Sequence, residues 1–140
     1  MTRILVLHGI NLNMFGKRDP KQYGTTTLAE IDERLEALGR ELDVAVECFQ
    51  SNSEGAFCER IHRVGTFAMG AVVVNAGAWT HYSYGIRDAL AILACPVIEV
   101  HMSNMSPSSR PWSSRRTALH EPATLTAVEA SSSRSTTVTL

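Results

Sequence analysis

Val72-Val73-Val74-Asn75-Ala76-Gly77-Ala78-Trp79-Thr80-His81 passes from three unbroken valines into an amide, a turn of small residues, an aromatic ring and an imidazole. A strand with one wet face alternates apolar and polar residues. A continuous β-branched run instead reads as a strand covered on both faces, the mark of a parallel sheet. Two other stretches repeat the pattern: Ile4-Leu5-Val6-Leu7 ends in His8-Gly9-Ile10-Asn11-Leu12-Asn13, and Val97-Ile98-Glu99-Val100 ends in His101-Met102-Ser103-Asn104. Three apolar runs thus finish in amides, hydroxyls and imidazoles.

Helical signals separate these runs. Thr27-Leu28-Ala29-Glu30 has the form of a capping box, and Leu28, Ile31, Leu35, Leu38 and Leu42 follow at helical spacing. Val44 to Phe49 reads as a further strand, which ends in the polar run Gln50-Ser51-Asn52-Ser53-Glu54. Residues 54–64 suggest a second helix with Ala56, Phe57 and Ile61 inward. Ile86, Leu90 and Leu93 mark a third, ahead of a strand from Pro96 to His101. Strands alternating with helices imply right-handed crossovers and an open α/β sandwich with a parallel sheet. Ligands of such sheets bind beyond the carboxyl ends of the strands, where every polar cluster falls.

The 140 residues suffice for one domain with one core. A net charge of -1, with acids and bases interspersed up to residue 104, offers no basic stripe for nucleic acid or a membrane surface and points to a small polar ligand. Cys48, Cys58 and Cys95 are odd in number, lie in apolar patterns and form no C-x-x-C pair, so buried reduced thiols in a cytoplasmic protein are expected. The N-terminus carries no signal pattern, and no apolar stretch approaches the roughly 20 residues that span a bilayer. Gly16 to Gly24 mixes turn residues with charges and reads as a lid-like loop. From Ser106 onward Ser and Thr dominate, and Arg110, Arg115, Arg116 and Arg134 outnumber Glu121 and Glu129. With no period visible, residues 1–105 are taken as the α/β domain and 106–140 as a poorly ordered tail.

Acid-base chemistry suits the strand-end residues. Tyr23 can act as a base only if its pKa, about 10 unperturbed, is lowered; a guanidinium such as Arg18 favours the phenolate. His101 can serve as the acid. Glu99, two residues earlier on the same strand face, can orient and support its ring. Asn11, Asn13, Asn75 and the amides of Met102 and Ser103 suit a polyhydroxylated or carboxylate ligand. The five histidines lack zinc-ligand spacing, so no metal is expected. The glycines match neither nucleotide fingerprint, and no nucleophile elbow is present. Taken singly, Tyr23 is an ordinary packed aromatic and His101 an ordinary core histidine.

The segments HGINLNMFGKRDPKQYG, FQSNSEGAF, VVVNAGAWTHYSYGIRDAL and PVIEVHMSN, in this order, resemble the type II 3-dehydroquinate dehydratases, or type II dehydroquinases, over residues 3 to 104. The resemblance implies a flavodoxin-like fold, a homo-oligomer built as trimers grouped into a dodecamer, and cofactor-free loss of water from 3-dehydroquinate. That is a lyase reaction of the shikimate pathway, or of quinate breakdown. It makes Tyr23 the base, Arg18 its lid partner, His101 the acid supported by Glu99, and Asn13 the amide that steadies the enolate. Asn75 and His81 would hold substrate hydroxyls, Met102 and Ser103 its carboxylate, and Asp88 would reach a neighbouring subunit's site. The other reading is an impaired homologue that keeps the cleft as a ligand-binding or regulatory module.

Three departures from the family pattern leave the expected reacting groups in place. Ile10 and Ala76 stand where the family has prolines, and residues 63–70 lack its charged loop character. A larger departure follows Asn104. Ser108 and Trp112 stand where two arginines are expected, and the family's fifth strand and closing helix are missing or altered. The fourth strand is then expected to be an uncovered edge. A shifted reading frame near residue 105 and a diverged paralogue both remain open as its origin.

Overall fold

The computed structural model describes residues 1–66, 68–101, 124–128 and 135–139; the side chains of Gln22, Tyr23, Thr66 and the last two segments are outside that description. The chain runs β1 (Thr2–His8), α1 (Pro20–Tyr23), α2 (Leu28–Glu41), β2 (Val44–Gln50), α3 (Glu54–His62), β3 (Ala71–Asn75), α4 (Tyr84–Ala91), β4 (Val97–His101), β5 (Thr124–Val128) and β6 (Ser135–Thr139). One sheet has the order β2-β1-β3-β4-β5-β6. Its first four strands are parallel, and β5 and β6 add on antiparallel.

The expected strands and helices all form, each for a local reason. The Thr27 side chain accepts from the Glu30 amide, and the Glu30 carboxylate accepts from the Thr27 amide, which satisfies two orphan donors of α2. Ser53 and Ser83 cap α3 and α4 in the same manner, accepting from Ala56 and Ile86.

Side-chain alternation divides the sheet into two different faces. Leu5, Leu7, Val72, Val74 and Val97 meet Phe57 and Ile61 of α3 and Ile86, Ala89 and Leu90 of α4 in one closed core. Trp79 joins it edge-on to Phe57, with ring centroids 5.2 Å apart. Burying each such side chain is worth roughly 1.5–3 kcal/mol, so this layer contributes most of the hydrophobic stabilisation.

The opposite face carries Ile4, Val6, Val73 and Val100 under α2 and is only partly covered. An open apolar cleft of about 350 Å³ runs between these residues and Ile31, Leu35, Leu38 and Leu42. Leu38 and Leu42 are 49% and 64% exposed. The helical stripe of α2 is therefore longer than the surface available to receive it.

The described residues after 105 correct the expectation that β4 is an uncovered edge. β5 pairs with β4, His101 lying opposite Thr124 and Val97 opposite Val128, so β4 is not the sheet edge. The strand is antiparallel to β4 and returns in β6. The β-branched Thr and Val of Thr124–Val128 and Ser135–Thr139 favour extended backbone, although their Thr and Ser content keeps either segment from reading as an apolar run. The cysteines also depart from expectation: all three are free thiols, but half-buried.

Candidate active site

The parallel register brings the carboxyl ends of the strands to one level. His8 lies opposite Gln50 on one side and Asn75 on the other, and Val74 opposite Glu99. The loops after β1 and β3 are consequently neighbours, and β1 is the position from which the sheet grows in both directions. This is the switch-point crevice of an open α/β sheet.

The two loops interlock through backbone. The Gly9 amide donates to the Asn75 carbonyl at 2.7 Å. A Cβ at Gly9 would fall 2.2 Å from the Ala76 carbonyl oxygen, so only glycine fits there. Gly77 has φ 61°. It donates its amide to Asn75 Oδ1 at 3.1 Å, which leaves the amide nitrogen of Asn75 as its end for a ligand. Asn11 is left-handed at φ 64°, ψ 3°, and starts the short helical turn Leu12–Met14 that carries Asn13.

Glu99 and His101 share one face of β4, with both side chains 4% exposed and 2.7 Å between Glu99 Oε1 and His101 Nε2. The contact has ion-pair distance but lacks hydrogen-bond alignment, since neither atom has a satisfied hydrogen bond among the described residues.

The remaining expected residues are more dispersed. Tyr23 ends α1, whose cap is the Asp19 carboxylate accepting from the Lys21 amide at 3.0 Å. Its side chain lies outside the described residues, as do Met102 and Ser103. Arg18 is exposed in the loop ahead of α1, and His81 is exposed at the end of the Gly77–His81 turn. Asp88 is exposed in the second turn of α4. Of these three, His81 lies in the loop that follows β3, next to Asn75 and the strand ends.

Residues without an expected role also build the crevice. Asn52 accepts from the Asn11 amide at 2.8 Å and donates to Asn13 Oδ1 at 3.2 Å. Gln50 donates to the Gly9 carbonyl at 3.2 Å. Ser83 donates to the Glu54 carboxylate, joining the N-termini of α3 and α4. The polar run Gln50 to Glu54 at the end of β2 was the sequence signal for three of these.

His8, Asp32 and Cys48 form the one group with mixed metal-ligand atoms among the described residues, all within 4.8 Å of one another. They already satisfy one another. His8 Nε2 is 2.8 Å from Asp32 Oδ1. Cys48 is pushed up to about 12 by burial first, then by its hydrogen bond to Asp32 and the charges of Asp32, Glu36 and Glu47. A thiol held protonated is a poor ligand, so the group reads as a clamp between β1, β2 and α2. Because folding favours the neutral thiol, its contribution to stability falls as pH rises from the unfolded thiol value toward about 12. Burial raises Cys58 and Cys95 as well. Iodoacetamide at pH 8 is expected to label all three slowly in the native state, with Cys48 slowest and unfolding in urea levelling the rates. Mass spectrometry of the peptides reads the order; fast native labelling of Cys48 contradicts the clamp.

The family model for dehydroquinase class II matches residues 2–130. The chain belongs to the class II dehydroquinase family. A 3-dehydroquinate dehydratase of Leptothrix cholodnii is 72% identical over 102 residues, covering 73% of this chain and 68% of that one. The crystal structure of a type II dehydroquinase from Propionibacterium acnes matches with TM-score 0.71 at 45% identity, covering 74% of this chain and 71% of that one. A type II dehydroquinase from Butyrivibrio crossotus gives TM-score 0.72 at 40% identity over 74% and 72%. This dehydroquinase has the flavodoxin-like α/β architecture of those structures in its four parallel strands. No described helix is long and apolar enough to cross a membrane.

Proposed function

We propose that this dehydroquinase eliminates water from 3-dehydroquinate to give 3-dehydroshikimate, by acid-base chemistry through an enolate and without a cofactor. Family membership along most of the chain carries this reading. In it, the Tyr23 phenolate, favoured by Arg18, removes a proton alpha to the ketone. Asn13 steadies the resulting enolate oxygen. His101, charge-supported by Glu99, protonates the hydroxyl as its C–O bond breaks, releasing water and leaving the conjugated enone. Asn75 and His81 hold substrate hydroxyls, Met102 and Ser103 the carboxylate, and Asp88 reaches a neighbouring subunit. The working form is a cytoplasmic homo-oligomer.

The close Glu99 and His101 pair supports the acid's part in this scheme. Purified protein mixed with 3-dehydroquinate is expected to develop the ultraviolet absorbance of the enone, and the same sample is expected to have the mass of an oligomer. Binding of substrate without enone formation supports the alternative of an impaired homologue that keeps only the binding cleft. A monomer that turns over removes the requirement for Asp88 from a second subunit.

A further inference from the structure

Asn52 makes hydrogen bonds that fix which end of the Asn13 amide faces a ligand. Its Oδ1 accepts from the Asn11 backbone amide at 2.8 Å and from Gln50 Nε2 at 2.9 Å. Its Nδ2 donates to Asn13 Oδ1 at 3.2 Å. The orientation of a side-chain amide has to be deduced from partners whose roles are unambiguous. Two such partners are present. A backbone N–H can only donate, so the Asn52 atom facing Asn11 is its oxygen. A backbone carbonyl only accepts, so the Gln50 atom at 3.2 Å from the Gly9 carbonyl is its nitrogen, which then also faces an oxygen on Asn52. The other end of Asn52 is therefore the NH₂ group, and the Asn13 atom that receives it is the carbonyl oxygen. Asn13 keeps its amide nitrogen for a ligand.

We propose that Asn52 is a positioning residue that sets the amide polarity of Asn13, so that Asn13 meets the reacting oxygen as a hydrogen-bond donor. This rests on the reaction proposed above. Negative charge grows on the ketone oxygen as the enolate forms, and a donor aimed there, directly or through one water, gains strength in the transition state. The carbonyl end of the same amide would repel it. The backbone supports this assignment. Asn11 is a non-glycine residue at φ 64°, a sparsely populated conformation, and its amide is the one that Asn52 accepts. Asn52 thus anchors the start of the Leu12–Met14 turn and the side chain that the turn presents. It belongs to β2's exit loop, 39 residues from Asn13 in sequence, so the two loops must both be in place for the polarity to be set.

Asn52→Asp keeps the size and the acceptor but removes the donor to Asn13. We expect kcat to fall roughly tenfold or more, as for loss of an oriented donor, with KM changed less than about threefold. In an Asn13→Ala background the same change is expected to alter kcat by less than about twofold, because the amide it orients is gone. Native-state hydrogen exchange followed by NMR supplies a readout independent of activity. The Asn11 amide is expected to exchange faster in Asn52→Ala and to stay protected in Asn52→Asp. Unchanged kcat in Asn52→Asp, an equal loss with and without Asn13, or an unprotected Asn11 amide in the unsubstituted protein would each overturn the proposal. If the unsubstituted protein protects Asn11 but forms no enone, the assigned reaction fails, and with it the catalytic purpose of the positioning, while the anchoring bond stands.

Discussion

Tyr23→Phe and His101→Ala are each expected to lower turnover by about 10² to 10⁴, the usual worth of a general acid or base, and to leave substrate binding within a few-fold of the unsubstituted protein. The expected loss is in kcat because each group acts only as bonds change. Tyr23→Phe keeps the ring and removes the one oxygen able to take a proton. His101→Ala removes the imidazole beside a carboxylate that is itself almost fully buried. That second substitution also isolates Glu99 in the dry interior, where an unpaired charge is costly, so the thermal midpoint is expected to drop. Asn at position 101 keeps a polar partner for Glu99 without the acid. It is therefore expected to recover stability while turnover stays low. Enone absorbance at saturating substrate, binding calorimetry and thermal unfolding separate these effects. Turnover unaffected in either variant removes that residue from the mechanism, and recovery of turnover in His101→Asn shows that the position serves packing alone.

The part of this site carried by single strands was legible in the sequence, because strand ends are visible as the points where apolar runs stop. Glu99 and His101 are two residues apart on β4, and period-2 alternation alone puts them on one face. Asn75 follows its valines directly in the same way. The capping box at Thr27 and Glu30 is likewise a local signal, complete within four residues, and it forms as read.

Contacts across long sequence separations were not legible. Asn52 is 41 residues from Asn11 and meets it through the register of β1 and β2, and His8 is 24 residues from Asp32 and meets it only because α2 lies against the end of β1. Apolar spacing similarly marks which side of α2 faces inward but not how much sheet lies beneath it. Leu38 and Leu42 keep the period and remain exposed for that reason. The hairpin of β5 and β6 escaped a search for hydrophobic runs because threonine supplies much of its extended character. β5 pairs along β4 from Val97 to His101, so it holds the strand that carries Glu99 and His101 even though it adds no parallel neighbour.

Gly9→Ala is expected to destabilise the fold by about 3 kcal/mol or more, the upper range for overpacking, and to lower turnover as well. The added methyl has no escape. The Ala76 carbonyl oxygen, carbon and Cα lie 2.2, 2.4 and 2.7 Å from the Cβ position, and all three are backbone. A flexible side chain could turn aside, but here one of the two loops must move. Either movement breaks the 2.7 Å bond from the Gly9 amide to the Asn75 carbonyl and shifts the Gln50 contact to the Gly9 carbonyl. Gly9 therefore couples the loop carrying Asn11 and Asn13 to the loop carrying Asn75. Gly85 offers the control, since a Cβ there meets nothing within 4 Å and it lies in α4. Gly85→Ala is expected to be neutral or to stabilise by up to about 1 kcal/mol through helix propensity. Urea unfolding of the two variants, with enone formation measured on each, compares a glycine required by backbone contact with one that is not. Equal stability of Gly9→Ala and the unsubstituted protein would mean that the two loops are not in contact at Ala76, and the crevice assembled from them would lose its structural basis.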